Sequence, residues 1–235
     1  FFATDSFTGR VLYTFTTENV VEVLTNPAYL LTVVRTVAVA VGVTALCVVL
    51  AVPLAAYIAL VAGPRARPVL VALVVTPLWA SYLVKGYAWR VLLSPGGPLG
   101  GFSPGYGWVA VVLTLTYLWL PYMVLPIYAG IDGMRGSYVD AAADLGARPW
   151  TAFRTVMVPL LGPAVAAGSV FTFSLSLGDY ITVQLVGGTN QMLGNIVYSN
   201  FSTDLPFAAA VALLPLLVMA AYLLTIRRTG ALERL

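Results

Sequence analysis

Five long apolar runs govern what this chain can fold into. They fall at roughly 33–62, 68–92, 107–131, 155–177 and 206–227. A helix needs about 20 mostly apolar residues to cross a bilayer, and each run is long enough. One soluble helical core has no use for five such runs. A membrane β-barrel would instead show alternating strands of about ten residues. In hydrocarbon every backbone amide must find its partner within the chain, so each run is predicted to be a helix. Pro53, Pro77, Pro121, Pro126, Pro163 and Pro215 lie inside the runs and are expected to kink them.

Composition narrows the function classes. Of 235 residues, 60% are hydrophobic and 9% charged, and mean hydropathy is +0.92. Soluble domains carry about 25% charged residues. The reading is an all-α polytopic membrane protein. A net charge of +3 is too small an excess to point to nucleic acid. There is no histidine, which removes the commonest general base and metal ligand. With no paired intramembrane carboxylates and no metal-ligand cluster in the sequence, neither an intramembrane enzyme nor a metal site is expected. Cys47 stands alone in an apolar run and is read as packing. No glycine-rich phosphate loop is present, so nothing in this chain is expected to bind nucleotide.

Sidedness follows from arginine placement. Arg65 and Arg67 lie between the first two runs. Arg135, Arg148 and Arg154 lie between the third and fourth, and Arg227, Arg228 and Arg234 follow the fifth. These are eight of the 12 basic residues, so those segments are predicted to be cytoplasmic. The opposite side receives 1–32, 93–106 and 178–205, with Asp5, Glu18, Glu22, Asp179 and Asp204. The expected organisation is an extracytoplasmic segment 1–32 and a membrane domain 33–227, with a cytoplasmic loop 132–155 and an outer loop 178–205. A cytoplasmic tail, 228–235, follows.

The loop after the third run reads Tyr138-Val139-Asp140-Ala141-Ala142-Ala143-Asp144-Leu145-Gly146-Ala147-Arg148-Pro149-Trp150. Ser137 or Asp140 can cap a short helix with a face of alanines. Gly146 is placed to end it in a left-handed turn, and Pro149 forbids simple continuation. The result is a compact elbow whose small side chains let another protein approach the backbone. The segment continues through Arg154 to Val156-Met157-Val158-Pro159.

Here the chain resembles the inner-membrane component family of ABC importers. That family's signature is Glu-Ala-Ala, three residues, Gly, nine residues, then Ile-x-Leu-Pro. Asp140, Ala141, Ala142, Gly146 and Val156 to Pro159 reproduce its spacing, with Asp140, Val156 and Val158 as conservative departures. More narrowly the chain looks like spermidine/putrescine-type permeases. The stretches that carry this are Thr76–Lys85, Leu120–Pro126, and Ser176–Tyr180 followed by Val186-Gly187-Gly188. The resemblance implies a type I ABC importer permease fold with a cytoplasmic coupling helix. It implies a bacterial inner-membrane location, a second permease subunit, two ATPases that hold ATP and Mg, and an extracytoplasmic binding protein. Asp140, Ala141, Ala142, Asp144, Gly146, Arg148 and Pro159 are the implied ATPase-coupling residues. Such permeases usually have six membrane helices, so one more is expected before Phe1.

The substrate implied is a polyamine. Ferric iron, thiosulfate and other small solutes stay open, because specificity often lies in the binding protein. An ATPase-independent carrier would have no need of the coupling signature. Asp179 and Tyr180, at the outer end of the fourth run, either receive a cation or serve as a helix cap and interface anchor. Trp79, Tyr82, Trp119 and Tyr122 either line the path or pack and anchor the helices. Lys85 and Arg90 are read as snorkelling or paired. Asp144 is read as the solvated side of the coupling helix. A membrane-impermeant thiol reagent applied to intact cells checks the sidedness: a cysteine placed in 93–106 should label, and one placed in 137–150 should not.

Overall fold

The computed structural model describes residues 2–4, 11–133, 146, 148, 151 and 153–228. Strands β1 (Phe2–Thr4) and β2 (Val11–Phe15) form an antiparallel hairpin with Phe2 opposite Phe15. Helix α1 (Glu18–Thr25) follows. Only Asn26 separates it from α2 (Pro27–Ala56), and the Asn26 side chain accepts the Ala28 N–H at 3.0 Å, capping the new helix. Past Pro53 the helix loosens into a π-helical turn, Tyr57–Val61. The third run is α5 (Trp108–Gly133) and the fifth is α9 (Leu205–Arg228). Among the described residues these three segments, 27–61, 108–133 and 205–228, are singly long and apolar enough to cross a membrane.

The other two runs depart from single helices. The second is a broken pair, α3 (Ala66–Trp79) and α4 (Tyr82–Leu93), with extended backbone at Ala80 and Ser81. Pro77 withdraws an amide from the last turn of α3, which makes that end easy to break. The fourth run opens with a π-helical turn, Phe153–Met157, and one α turn, Val158–Leu160. The regular part is α6 (Gly162–Leu177), 16 residues. Pro159 lies within the irregular part and Pro163 in the first turn of α6. The segment read as an outer loop holds two short helices, α7 (Ile181–Val186) and α8 (Leu193–Asn200), which bury Val183, Val186 and Leu193.

The chain divides into two compact units. One comprises Phe1–Val43, Ser81–Leu115 and Phe173–Tyr222, the other Thr44–Ala80, Thr116–Thr172 and Leu223–Leu235. In the first, Val23, Leu193, Ile196, Phe207 and Val211 form a core against which Tyr29 and Val33 pack. Tyr29 meets Phe207 at 5.4 Å between ring centroids. A second cluster holds Ala40, Phe173 and Leu177, with Phe173 stacked on Tyr222 at 4.2 Å. In the second unit α5 and α6 meet through small residues. A Cβ on Gly168 would lie 3.1 Å from Met123 Cα, and one on Gly130 2.9 Å from Ala164 Cβ. In lipid, where hydrocarbon offers helices no hydrophobic drive to associate, such close approach is how they gain packing.

Thr36 ties α2 to α8. Its hydroxyl donates to the Thr32 carbonyl at 2.8 Å and accepts the Leu193 N–H at 3.0 Å. Both Thr36 and Leu193 are fully buried. Thr36→Val keeps the shape and leaves that amide without its acceptor. The expected cost is about 1–3 kcal/mol, read as a lower thermal midpoint of the detergent-solubilised permease than for Thr32→Val, whose hydroxyl only bonds back to the Ala28 carbonyl.

Candidate substrate path and coupling segment

In the first unit the chain turns sharply after α6 at Gly178, Asp179 and Tyr180. Asp179 is 7% exposed. One carboxylate oxygen accepts the Thr182 N–H at 2.8 Å and so caps α7. The other accepts the Thr182 hydroxyl at 3.2 Å and the Tyr82 hydroxyl. Tyr82 also lies 2.7 Å from the Thr182 hydroxyl. Burial pushes the Asp179 carboxyl up from its ordinary value, and the hydrogen bonds from Tyr82 and Thr182 oppose that rise. The pair Asp179 and Tyr82, singled out separately in the sequence, is thus one polar knot joining α4 to α7.

Tyr180 takes a different position. Its carbonyl accepts from Asn195 Nδ2 at 3.0 Å, and its ring stacks on Tyr198 at 4.6 Å. Tyr198 is half exposed. Gly178, Tyr180, Gly194, Tyr198, Phe201 and Pro215 border an open groove of about 500 Å³. A Cβ on Gly194 would lie 3.0 Å from the Gly178 carbonyl, so glycine lets α8 close against the turn and brings the two tyrosine rings together. Sequence reasoning passed over Tyr198, Thr182 and Asn195. Asn195 had a readable signal, since it sits three residues after Met192 and accepts the Met192 N–H at 3.1 Å, the spacing of a helix-capping residue.

In the second unit Trp119 and Tyr122 meet at 5.9 Å, and Tyr122 stacks on Phe171 at 6.2 Å. Trp79 is 87% exposed and borders a groove of about 450 Å³ with Arg67, Val75 and Tyr128. Arg67 Nη1 pairs with Asp132 at 3.1 Å, and Nη2 donates to the Ala59 carbonyl in the π-helical turn. One guanidinium therefore binds the end of α2, the start of α3 and the end of α5. The Arg67–Asp132 pair joins the first turn of α3 to the end of α5.

Of the residues that the sequence predicts for ATPase coupling, Asp140, Ala141, Ala142 and Asp144 lie outside the described residues. Gly146 has φ +83°, the left-handed conformation that glycine adopts without cost. Arg148 is exposed. Pro159 stands in the α turn Val158–Leu160, just after a π-helical turn that exposes Arg154 and Thr155.

Helices long and apolar enough to cross a membrane, joined by polar knots and bordered by open aromatic grooves, define a polytopic membrane protein. Residues 51–230 match the family described as binding-protein-dependent transport system inner membrane component. The chain is 39% identical over 259 residues to the inner membrane ABC transporter permease protein YdcU of Escherichia coli K12, covering 100% of this chain and 82% of that protein. It is 30% identical to the spermidine/putrescine transport system permease protein PotB of the same organism, over 98% and 88% of the two chains. Against the molybdenum transport system permease protein ModB of Mycobacterium bovis it is 34% identical, over 84% and 78%. A bacterial ABC transporter involved in import of the acidic polysaccharide alginate shares the fold, with a TM-score of 0.63 at 14% identity, over 92% of this chain and 85% of that one. The chain belongs to the inner-membrane component family of binding-protein-dependent transport systems: it is a multi-pass inner-membrane permease subunit of an ABC importer, and not an enzyme.

Gly146→Val tests the coupling segment. A β-branched residue in the left-handed region is a genuine outlier and costs about 1–2 kcal/mol. The variant should assemble in the membrane and lose most ATP-coupled uptake, measured as substrate accumulated per ATP hydrolysed in proteoliposomes.

Proposed function

We propose that this chain forms half of the translocation path of a polyamine importer. Identity to PotB across nearly the whole chain carries the reading. The groove beside Tyr180 and Tyr198 supports it. Aromatic faces attract ammonium groups, and the groove walls are otherwise apolar, as suits a polymethylene chain. Asp179 lies between Gly178 and Tyr180, which both border the groove. A polyamine loses hydration on entering the path, and carboxylates, carbonyls and ring faces offset that loss.

In this reading a second permease subunit completes the path and an extracytoplasmic binding protein delivers the substrate. Two ATPases hold ATP and Mg. The segment 137–159 docks on one ATPase, with Asp140, Ala141, Ala142, Asp144, Gly146, Arg148 and Pro159 at the contact. The Arg67–Asp132 pair, adjoining this segment, carries its motion into α2, α3 and α5. The start of the chain lies outside and its end in the cytoplasm. Trp79, Trp119 and Tyr122 border the path in the second unit. The similarity to ModB favours a second reading, in which the cargo is molybdenum.

Uptake of labelled putrescine and spermidine by cells with and without this gene tests the substrate. Uptake that depends on the chain and is unaffected by excess molybdate is expected. Dependence on molybdate alone would transfer the assignment to the second reading. Asp179→Asn tests the carboxylate: asparagine caps a helix about as well as aspartate, keeps the shape, and removes the charge together with one of the two acceptor oxygens that meet Thr182 and Tyr82. Polyamine uptake should fall several-fold in this variant while the complex still assembles and binds ATPases; wild-type uptake would confine Asp179 to capping α7.

A further inference from the structure

Helix α1 buries only part of its apolar side. At 100° per residue, Val23, Val20, Leu24 and Val21 occupy one continuous arc, with Glu18 and Glu22 across from it. One edge of the arc is used by the protein. Val23 is 1% exposed and, with Val20, packs into the core formed by Leu193, Phe207 and Val211. The other edge is open: Val21 is 53% and Leu24 51% exposed. Glu18 and Glu22 are exposed as well. Two large apolar side chains therefore project sideways from a helix whose inner edge is already satisfied.

The depth of α1 is set by its neighbours. Val20 and Val23 share their cluster with Tyr29 and Val33, in the first two turns of α2. Arg35, two residues further on, is exposed. From Thr36 to Val61 there is no charged residue, a stretch of about 39 Å at 1.5 Å per residue, ample for a hydrocarbon core of about 30 Å. A charge on a spanning helix sits at the interface or snorkels to it, so Arg35 marks the polar edge of the bilayer. Val33 and the helix packed on it lie at that edge. Next to them, Leu30, Leu31, Val34 and Val41 are exposed apolar side chains on one side of α2. The open edge of α1 thus stands at headgroup depth beside an exposed apolar side of a spanning helix.

We propose that α1 is an interfacial helix that rests in the headgroup layer of the leaflet marked by Arg35. Val21 and Leu24 dip into the acyl boundary, and Glu18 and Glu22 face water and the ammonium headgroups. Helices of this kind bury their apolar face about 5–10 Å into the boundary region. The occupant is lipid rather than a protein partner because the open edge lies at the depth where acyl chains begin, next to a spanning helix whose exposed side is itself apolar. By this contact the bilayer holds the core that α1 shares with α8 and α9. The β1–β2 hairpin, tied to α1 by Asn19 Nδ2 donating to the Phe2 carbonyl at 3.2 Å, is carried at the membrane surface.

Spin labels test this directly. Nitroxides are placed at Glu18→Cys, Val21→Cys, Glu22→Cys and Leu24→Cys, with the buried Cys47 replaced by Ser. The full transporter complex is reconstituted in vesicles of phosphatidylethanolamine and phosphatidylglycerol. Power saturation is then measured with molecular oxygen, which concentrates in lipid, and with a water-soluble nickel chelate. Labels at 21 and 24 should relax more with oxygen than with nickel, and labels at 18 and 22 the reverse. Equal nickel accessibility at all four sites would mean that α1 stands in water. Positions 21 and 24 shielded from both reagents would mean that a protein subunit covers them. Either result overturns the proposal and leaves the assignment as a permease untouched.

Discussion

A chain in hydrocarbon has no water to finish its backbone hydrogen bonds, so wherever a helix stops something within the protein must take over. Several helix ends here are met by a polar side chain aimed at the orphaned group. Thr36 takes the Leu193 amide at the start of α8, and Asn195 takes the Met192 amide beside it. Asp179 takes the Thr182 amide at the start of α7. Arg67 gives to the Ala59 carbonyl in the π-helical turn that ends α2. An unmet group of this kind costs several kcal/mol in lipid. A few side chains therefore permit the bends and short helices that distinguish this fold from a bundle of straight rods.

The same side chains hold distant segments together. Thr36 and Leu193 are 157 residues apart, Tyr82 and Asp179 are 97 apart, and Arg67 and Asp132 are 65 apart. A transporter has to change shape as a whole, and connections of this type let a shift at one helix end be felt at another. The Arg67 contact is partly exposed, where an ion pair is worth about 0–1 kcal/mol. It can be remade at little cost. The Asp179 knot is buried and fully bonded, which suits a fixed edge to the tyrosine-bordered groove.

Small residues complete the arrangement. Gly168 against Met123 and Gly130 against Ala164 bring α5 and α6 to backbone contact. Gly194 does the same for α8 and the turn at Gly178. Where apolar side chains are as content with lipid as with each other, closeness of approach and satisfied polar groups decide which helices pair.

Much of this protein is legible in its sequence. Runs of some 20 apolar residues specify membrane helices, because no other open structure survives in lipid. The spacing from Asp140 to Pro159 carries the family resemblance, and the family match over residues 51–230 agrees with it. The φ of +83° at Gly146 fits the left-handed turn expected there. Other features depend on residues far apart in the chain and were decided only by tertiary structure. The second run is a broken pair, the fourth is shortened by turns at its start, and the segment 178–205 folds into helices instead of a loop. Hydropathy counts apolar residues and takes no account of where amides find their partners. Asp179 was readable as a cation-receiving group or a helix cap, but its bond to Tyr82 was not, because Tyr82 is remote in sequence. Tyr198 gave no signal at all, because what gives it a place beside the groove is the close approach of Gly194 to the Gly178 turn.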